Sequence, residues 1–147
     1  MKHDRHTYRG KALSDQHVKI GEWVYGGLFK TEDGCWIVRL APGEFEAGII
    51  QHIRVDPDTV GQCSGLESVN STELFEGDII KRQAPHFNTP YVIEFGWYDG
   101  EYEDSRDCYG FYINEIATGC KCNPNDIDKY LEIGNCWDNP ELLEVGP

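Results

Sequence analysis

The chain has 147 residues, of which 39% are hydrophobic and 12% aromatic, enough for one small globular domain or two lobes that share a core. Its 26 acidic and 13 basic residues give a net charge of −13. We therefore expect no direct binding to DNA or RNA, because phosphates would be repelled. The same charge permits binding to a protein partner with a basic surface, although solubility alone also explains it.

The sequence contains no apolar run of the roughly 18 residues that a membrane-spanning helix needs, so no membrane association is predicted. The N-terminal stretch MKHDRHTYRGK is basic but is not followed by an apolar segment, unlike a secretion signal. We therefore expect the protein to remain in the cytoplasm, where its six cysteines would stay reduced.

Sixteen glycines and seven prolines favour many short strands and turns over long helices. Residues 1–16 are predicted as a flexible segment with a first strand, and residues 17–59 as an N-terminal β lobe. Asp33-Gly34 is typical of a tight hairpin, and Gly26-Gly27 indicates a bend within a strand. The predicted strands of this part are residues 7–13, 22–29, 35–40 and 48–55.

Residues 59–81, TVGQCSGLESVNSTELFEGDIIK, are predicted to connect the lobe to a buried strand. Gly77 permits a backbone angle that other residues resist, and the carboxylate of Asp78 can accept hydrogen bonds from nearby amides. The β-branched pair Ile79-Ile80 then favours a strand. We interpret Glu76 and Asp78 as residues that shape a turn, because the sequence places no histidine or third carboxylate beside them for catalysis or metal binding.

The C-terminal part is predicted to add strands at residues 91–97, 108–117 and 130–136. Alternation predicts that Ile93, Phe95 and Trp97 share one face of the first of these strands. Leu131 and Ile133 are expected to share a face of the last. A short helical turn capped by Asn139 should follow, with Leu142 and Leu143 sealing the end of the C-terminal part.

Residues 99–107 contain five carboxylates and one arginine, which cannot be buried unpaired, so an exposed hairpin tip is expected there. Tyrosine interleaved with acidic residues suits docking to a basic partner, although a merely solvated loop has the same composition. The candidate partner-binding residues are Trp97, Tyr98, Glu101, Tyr102, Glu103 and Asp104.

The sequence predicts no catalytic, cofactor-binding or metal-binding residues. Cys120 and Cys122, together with Cys108 and Cys136, could supply four thiolates to zinc, but zinc sites of this kind usually contain two tight cysteine pairs. We therefore interpret the thiols as small packed side chains or as loop residues without a functional role. An enzyme would need a histidine and a thiol or carboxylate brought together in space; the histidines considered are His52 and His86.

Seven short motifs occur in a fixed order over roughly residues 8–144: YRGKAL, GEWVYGGL, TVGQCSGL, LFEGDII, YVIEFG, GFYI and IGNCWDNPELLE. This ordered set resembles the YopX family of phage and prophage proteins. The resemblance implies a mainly β protein encoded by phages or integrated elements, and hence a bacterial host cell. It also implies that residues 60–147 form a single compact SH3-like β-barrel. It implies no established activity and no catalytic residues.

The sequence therefore predicts a non-enzymatic accessory protein that binds a partner through an acidic and aromatic surface, acting on host or phage machinery. A small enzyme with a site assembled in space is one alternative. A self-assembling module is another, because small β domains with open sheet edges can pair as homo-oligomers.

Overall fold

The computed structural model describes residues 4–43, 48–84, 89–99, 108–125 and 127–144. The chain is mainly β, as the sequence predicts, and its strands pair in antiparallel sheets. The strands are β1 (Tyr8–Lys11), β2 (Trp23–Thr31), β3 (Gly34–Leu40), β4 (Ile50–Val55), β5 (Gly61–Glu67), β6 (Glu73–Phe75), β7 (Asp78–Arg82), β8 (Pro90–Tyr98), β9 (Cys108–Glu115), β10 (Lys121–Cys122) and β11 (Tyr130–Asn135).

The chain divides into two compact units, Met1–Cys63 and Ser64–Pro147. The boundary predicted from the sequence, between residues 59 and 60, lies a few residues before this division. Strand β5 runs through the division. Its first residues, Gly61 and Gln62, pair with β1 in the first unit, and its last residues belong to the second unit, where β6 is the next strand.

Strands of the first unit follow the order β4-β3-β2-β1-β5. The β2–β3 hairpin turns at Glu32-Asp33, which confirms the predicted tight connection. Strand β2 changes partner at its double glycine, since Gly26 lies opposite β1 and Gly27 lies opposite β3. A Cβ atom on Gly26 would overlap the backbone of β3, so this position requires glycine.

The end of β1 also meets the end of β4. Ala12 and Val55 form an isolated antiparallel bridge, and the Leu13 amide donates to the Arg54 carbonyl at 2.8 Å. The approach is close, because a Cβ atom on Gly10 would lie 2.9 Å from the side chain of Val55. The strands enclose a core of Ala12, Val24, Cys35, Ile37, Ile53 and Val55.

The second unit contains a five-stranded antiparallel sheet in the order β10-β9-β8-β7-β11. Alternate residues of β7, β8 and β9 point to one side, and burial of their β-branched and aromatic side chains from water is the main stabilising term. The core on this side consists of Leu74, Ile80, Ile93, Phe111, Ile113, Ile127 and Tyr130.

The turn between β6 and β7 has the chemistry that the sequence predicts. Asp78 is only 1% exposed, and its carboxylate accepts a hydrogen bond from the Phe75 amide at 2.7 Å. Gly77 has a φ of +92°, where a side chain is strained, and a Cβ atom there would overlap the ring of Trp137. The turn-forming interpretation of Asp78 is confirmed.

The strands differ from the sequence-based expectation at two places. Lys121–Cys122 forms β10, which is not among the predicted strands, with Cys122 opposite Ile113 of β9. In β11 a register shift between Glu132 and Gly134 interrupts the alternation, so Ile133 is 38% exposed and does not share a buried face with Leu131.

Helical structure in the described part of the chain is confined to single 3-10 turns, none with the length and hydropathy needed to cross a lipid bilayer. One of them covers Pro140–Leu143. The side chain of Asn139 does not cap it, contrary to the prediction, because its Oδ1 accepts from the Asn135 amide at 3.2 Å. Leu143 is 37% exposed, so it does not cover the end of the second unit as predicted.

The close approach at Gly77 predicts an unequal effect of two glycine substitutions in the second unit. Gly119 has a φ of +73° with open space around it, so Gly119→Ala should cost about 1–2 kcal/mol from backbone strain alone. Gly77→Ala adds overlap with Trp137 and should cost roughly 1–3 kcal/mol more. Urea unfolding of both variants measures the difference, and equal losses would show that the Trp137 contact is unimportant.

Candidate functional site

One face of the β8–β9 hairpin carries a ladder of aromatic rings that begins in the core and ends in solvent. Phe95 lies opposite Phe111, and Trp97 lies opposite Tyr109. The ring centroids are 4.9 Å apart for Phe95–Phe111, 5.1 Å for Phe95–Tyr109 and 4.9 Å for Trp97–Tyr109. Phe111 is 9% exposed, whereas Trp97 is 66% and Tyr109 is 61% exposed. The outer two rings are therefore presented to solvent on a packed aromatic base.

The opposite face of the same hairpin is closed and polar. The rings of Tyr98 and Tyr112 are both buried, with centroids 5.3 Å apart. The Tyr112 hydroxyl donates to a Glu94 carboxylate oxygen at 2.6 Å, and the Asn123 amide donates to the Tyr98 hydroxyl at 3.3 Å. Burial, followed by the hydrogen bond to Glu94, raises the pKa of Tyr112 to about 12.

The structure separates the residues that the sequence grouped as a partner-binding site. Trp97 lies in solvent at the end of the aromatic ladder, but Tyr98 points to the other face and is 9% exposed. The neighbour of Trp97 is instead Tyr109, which the sequence analysis did not select. Alternation with Phe111 along β9 is the signal that could have identified it. The remaining candidates, Glu101, Tyr102, Glu103 and Asp104, lie outside the described residues.

The four-thiolate alternative is wrong. Cys122 lies opposite Ile113 of β9, and Cys108 is five residues earlier on that strand, about 16 Å away at the usual rise per residue. Cys120 and Cys122 do approach each other, with 3.9 Å between their sulfur atoms. Over the residues that the structure describes, no three His, Cys, Asp or Glu side chains gather as a metal-ligand group.

A second exposed aromatic surface lies on the first unit and was not singled out from the sequence. Phe29 of β2 is opposite Trp36 of β3, which is opposite Arg54 of β4, so the three share a face. The Phe29 and Trp36 ring centroids are 6.3 Å apart, and the Arg54 guanidinium carbon is 5.6 Å from the Trp36 centroid. Arg54 also donates to the Asp33 carbonyl at 2.9 Å, which holds it over the ring.

The histidines that an enzyme would use are not assembled into a site in the described residues. His52 is exposed on β4, opposite Val38, and no hydrogen bond joins it to a thiol or carboxylate in the described residues. His86 lies outside the described residues.

Charge is divided unequally between the two units. Met1–Cys63 contains eight Lys and Arg and nine Asp and Glu, a net charge of −1. Ser64–Pro147 contains five Lys and Arg and 17 Asp and Glu, a net charge of −12. The acidic excess is therefore a property of the unit that carries Trp97 and Tyr109.

The raised pKa of Tyr112 predicts part of the loss of stability in alkali. The phenol is held neutral in the fold, with a pKa of about 12 against an ordinary 10.0, so its contribution is complete below pH 10 and is lost as the pH rises through 12. Tyr112→Phe removes this ionisation, and the free energy of unfolding should then fall less steeply over this range. Urea unfolding at several pH values measures the slope, with Tyr109→Phe as the exposed control. An unchanged slope in Tyr112→Phe would contradict the assignment.

Comparison with known proteins bears on the whole chain. No curated protein matches it significantly. The family model described as YopX protein matches residues 14–144, which cover most of both units and every strand from β2 to β11. The match extends over most of the sequence and agrees with the motifs from GEWVYGGL to IGNCWDNPELLE. The chain therefore belongs to the YopX protein family.

Proposed function

We propose that this protein is a non-enzymatic phage or prophage accessory protein that docks onto a protein partner with a basic surface. The docking surface is the end of the β8–β9 hairpin, with Trp97 and Tyr109 as its aromatic anchors. The acidic segment of residues 99–107 joins the two strands and provides the negative charge. The site of action is the cytoplasm of the bacterial host, and the partner belongs to host or phage machinery.

The observation that supports docking most directly is the exposure of two aromatic rings that contact each other at a tilt. Trp97 and Tyr109 are both more than 60% exposed, although their apolar surface would be more stable out of water. Tryptophan and tyrosine are the residue types that most often dominate binding energy at interfaces. Because Phe95 supports Tyr109 from below, little side-chain freedom remains to be lost when a partner covers the rings.

Electrostatics support the basic character of the partner. The second unit has a net charge of −12, and Asp99 with the four carboxylates of residues 101–107 follows Trp97 directly in sequence. Such a field raises the rate of association with a cationic surface and disfavours acidic competitors. The aromatic anchors would then supply affinity, and the acidic segment next to them would select a basic partner.

We also propose that the strands of each unit close into a small barrel. The strand order of the second unit, with β10 and β11 at its edges, is compatible with the SH3-like barrel expected for residues 60–147. In the first unit the Ala12–Val55 bridge joins the ends of β1 and β4, which favours a barrel-like arrangement there as well. Small barrels present strand-to-strand loops at fixed positions, which suits a docking role.

Self-association is a second candidate, because β4 ends the strand order of the first unit and its bridge to β1 lies at Val55, at the opposite end of the strand from Ile50. Ile50 on this strand is 60% exposed and Leu40 on the neighbouring β3 is 65% exposed. An edge strand with apolar neighbours can pair with another copy. Light scattering of the purified chain distinguishes the two candidates. A monomer at high concentration would exclude self-association, and docking would then be the remaining candidate.

The docking surface is tested by capture of partners from a lysate of the bacterial host, followed by mass spectrometry. Trp97→Ala and Tyr109→Ala should each weaken retention of the principal partner by roughly tenfold or more, because each removes a buried anchor from the complex. Neutralising Glu101, Glu103 and Asp104 together should weaken it further at low salt and leave the melting temperature unchanged.

Phe29→Ala is the matched control, because Phe29 is also an exposed aromatic residue, at 57%, and lies on the other unit. It should leave capture unchanged. Full retention by the Trp97→Ala Tyr109→Ala double variant, with unchanged circular dichroism, would overturn the docking surface. Turnover of a substrate that one side-chain change abolishes would overturn the non-enzymatic assignment.

A further inference from the structure

The turn between β9 and β10 holds two thiols at the spacing of metal ligands. The sulfur atoms of Cys120 and Cys122 are 3.9 Å apart, and neither residue is in a disulfide. Two thiolates on a tetrahedral zinc ion, each at about 2.3 Å, lie roughly 3.8 Å from each other. In the reduced protein the two thiols are in hydrogen-bond contact, and the Cys122 thiol also lies 4.0 Å from the Cys120 carbonyl oxygen. The sulfur atoms therefore need to move little to share a metal ion.

Backbone hydrogen bonds hold this turn in place. The Gly119 amide donates to the Glu115 carbonyl at 2.7 Å, and the Glu115 amide donates to the Cys120 carbonyl at 2.9 Å. The Cys120 amide donates to the Thr118 hydroxyl at 3.2 Å. Cys122 is paired with β9 and packs against the core of the second unit. The backbone that carries both thiols is therefore ordered before any ligand binds, which lowers the entropy cost of binding.

The two thiols differ in exposure to solvent, and this difference allows a metal ion to enter the site. Cys120 is exposed and Cys122 is half-buried, so a metal ion can reach the first sulfur without opening the core. Cys122 lies at the rim of an apolar region next to Ile113, which limits the access of water to one side of the pair. Soft thiolate ligands select thiophilic ions over Mg²⁺ or Ca²⁺.

We propose that Cys120 and Cys122 form a binding site for a thiophilic divalent metal ion of the Zn²⁺ and Cd²⁺ class. Each thiol loses its proton and each sulfur forms one bond to the ion, so two protons are released for each ion bound and affinity falls as the pH falls. The other coordination positions are open to water or to an external ligand. The site is independent of the docking surface at Trp97 and Tyr109.

Titration of the reduced full-length protein with Cd²⁺ tests this site through the ultraviolet absorption of the thiolate-to-cadmium bond, which carboxylate-bound Cd²⁺ does not produce. We expect one ion per chain. Cys120→Ser should weaken binding at least about tenfold, because one sulfur cannot chelate. Since Cys120 is exposed, this variant should fold normally, which circular dichroism checks. Cys108→Ser, at the far end of β9, is the control and should leave the titration unchanged.

A peptide of residues 118–123 contains the same Cys-Lys-Cys spacing without the fold, and the protein should bind Cd²⁺ about tenfold or more tightly than this peptide. Cd²⁺ added to the Zn²⁺-loaded protein should displace Zn²⁺ and produce the absorption, because thiolates bind the softer ion more tightly. Equal affinity for protein and peptide would overturn the preformed site. So would an absorption that survives in the Cys120→Ser Cys122→Ser double variant, or one ion for every two chains.

Discussion

Alternation of side chains across the β8–β9 pairing is the constraint on which the second unit depends. It sends Phe95 and Phe111 into the core and Tyr112 to the closed polar face, while the strands continue past the point where the core ends. The next residues on the core face, Trp97 and Tyr109, therefore emerge into solvent on a packed base. One register thus produces both the stability of the hairpin and the exposed aromatic surface proposed for docking.

Because net charge is divided unequally, the two units differ in the electrostatic character of their surfaces. The net charge of −13 belongs almost entirely to Ser64–Pro147, so the repulsion of phosphates inferred from the total is not uniform along the chain. At physiological salt, charges more than about 8 Å apart are largely screened, so local composition decides what a surface attracts. The first unit has instead an Arg54 guanidinium over Trp36, next to Phe29, on a nearly neutral background.

Local chemistry made much of the fold predictable. The β2–β3 hairpin and the turn at Gly77 and Asp78 follow from residues that are adjacent in the chain, because a positive φ or a capped amide is a local requirement. The shared face of Phe95 and Trp97 follows from strand periodicity. The predicted cap at Asn139 does not form, because the Asn139 side chain accepts from the Asn135 amide, four residues earlier, and not from the turn that follows.

By itself, the sequence determined the β class, the family, the main turns, the acidic total and the region around Trp97, since composition, motifs and periodicity are written along the chain. Tertiary structure alone decided that Tyr98 is buried while Tyr109 stands beside Trp97, and that Cys122 joins β9 in a strand with its sulfur near that of Cys120. The physical reason is that these outcomes depend on which strand pairs with which and where the core ends, and long-range pairing is not encoded in any one segment.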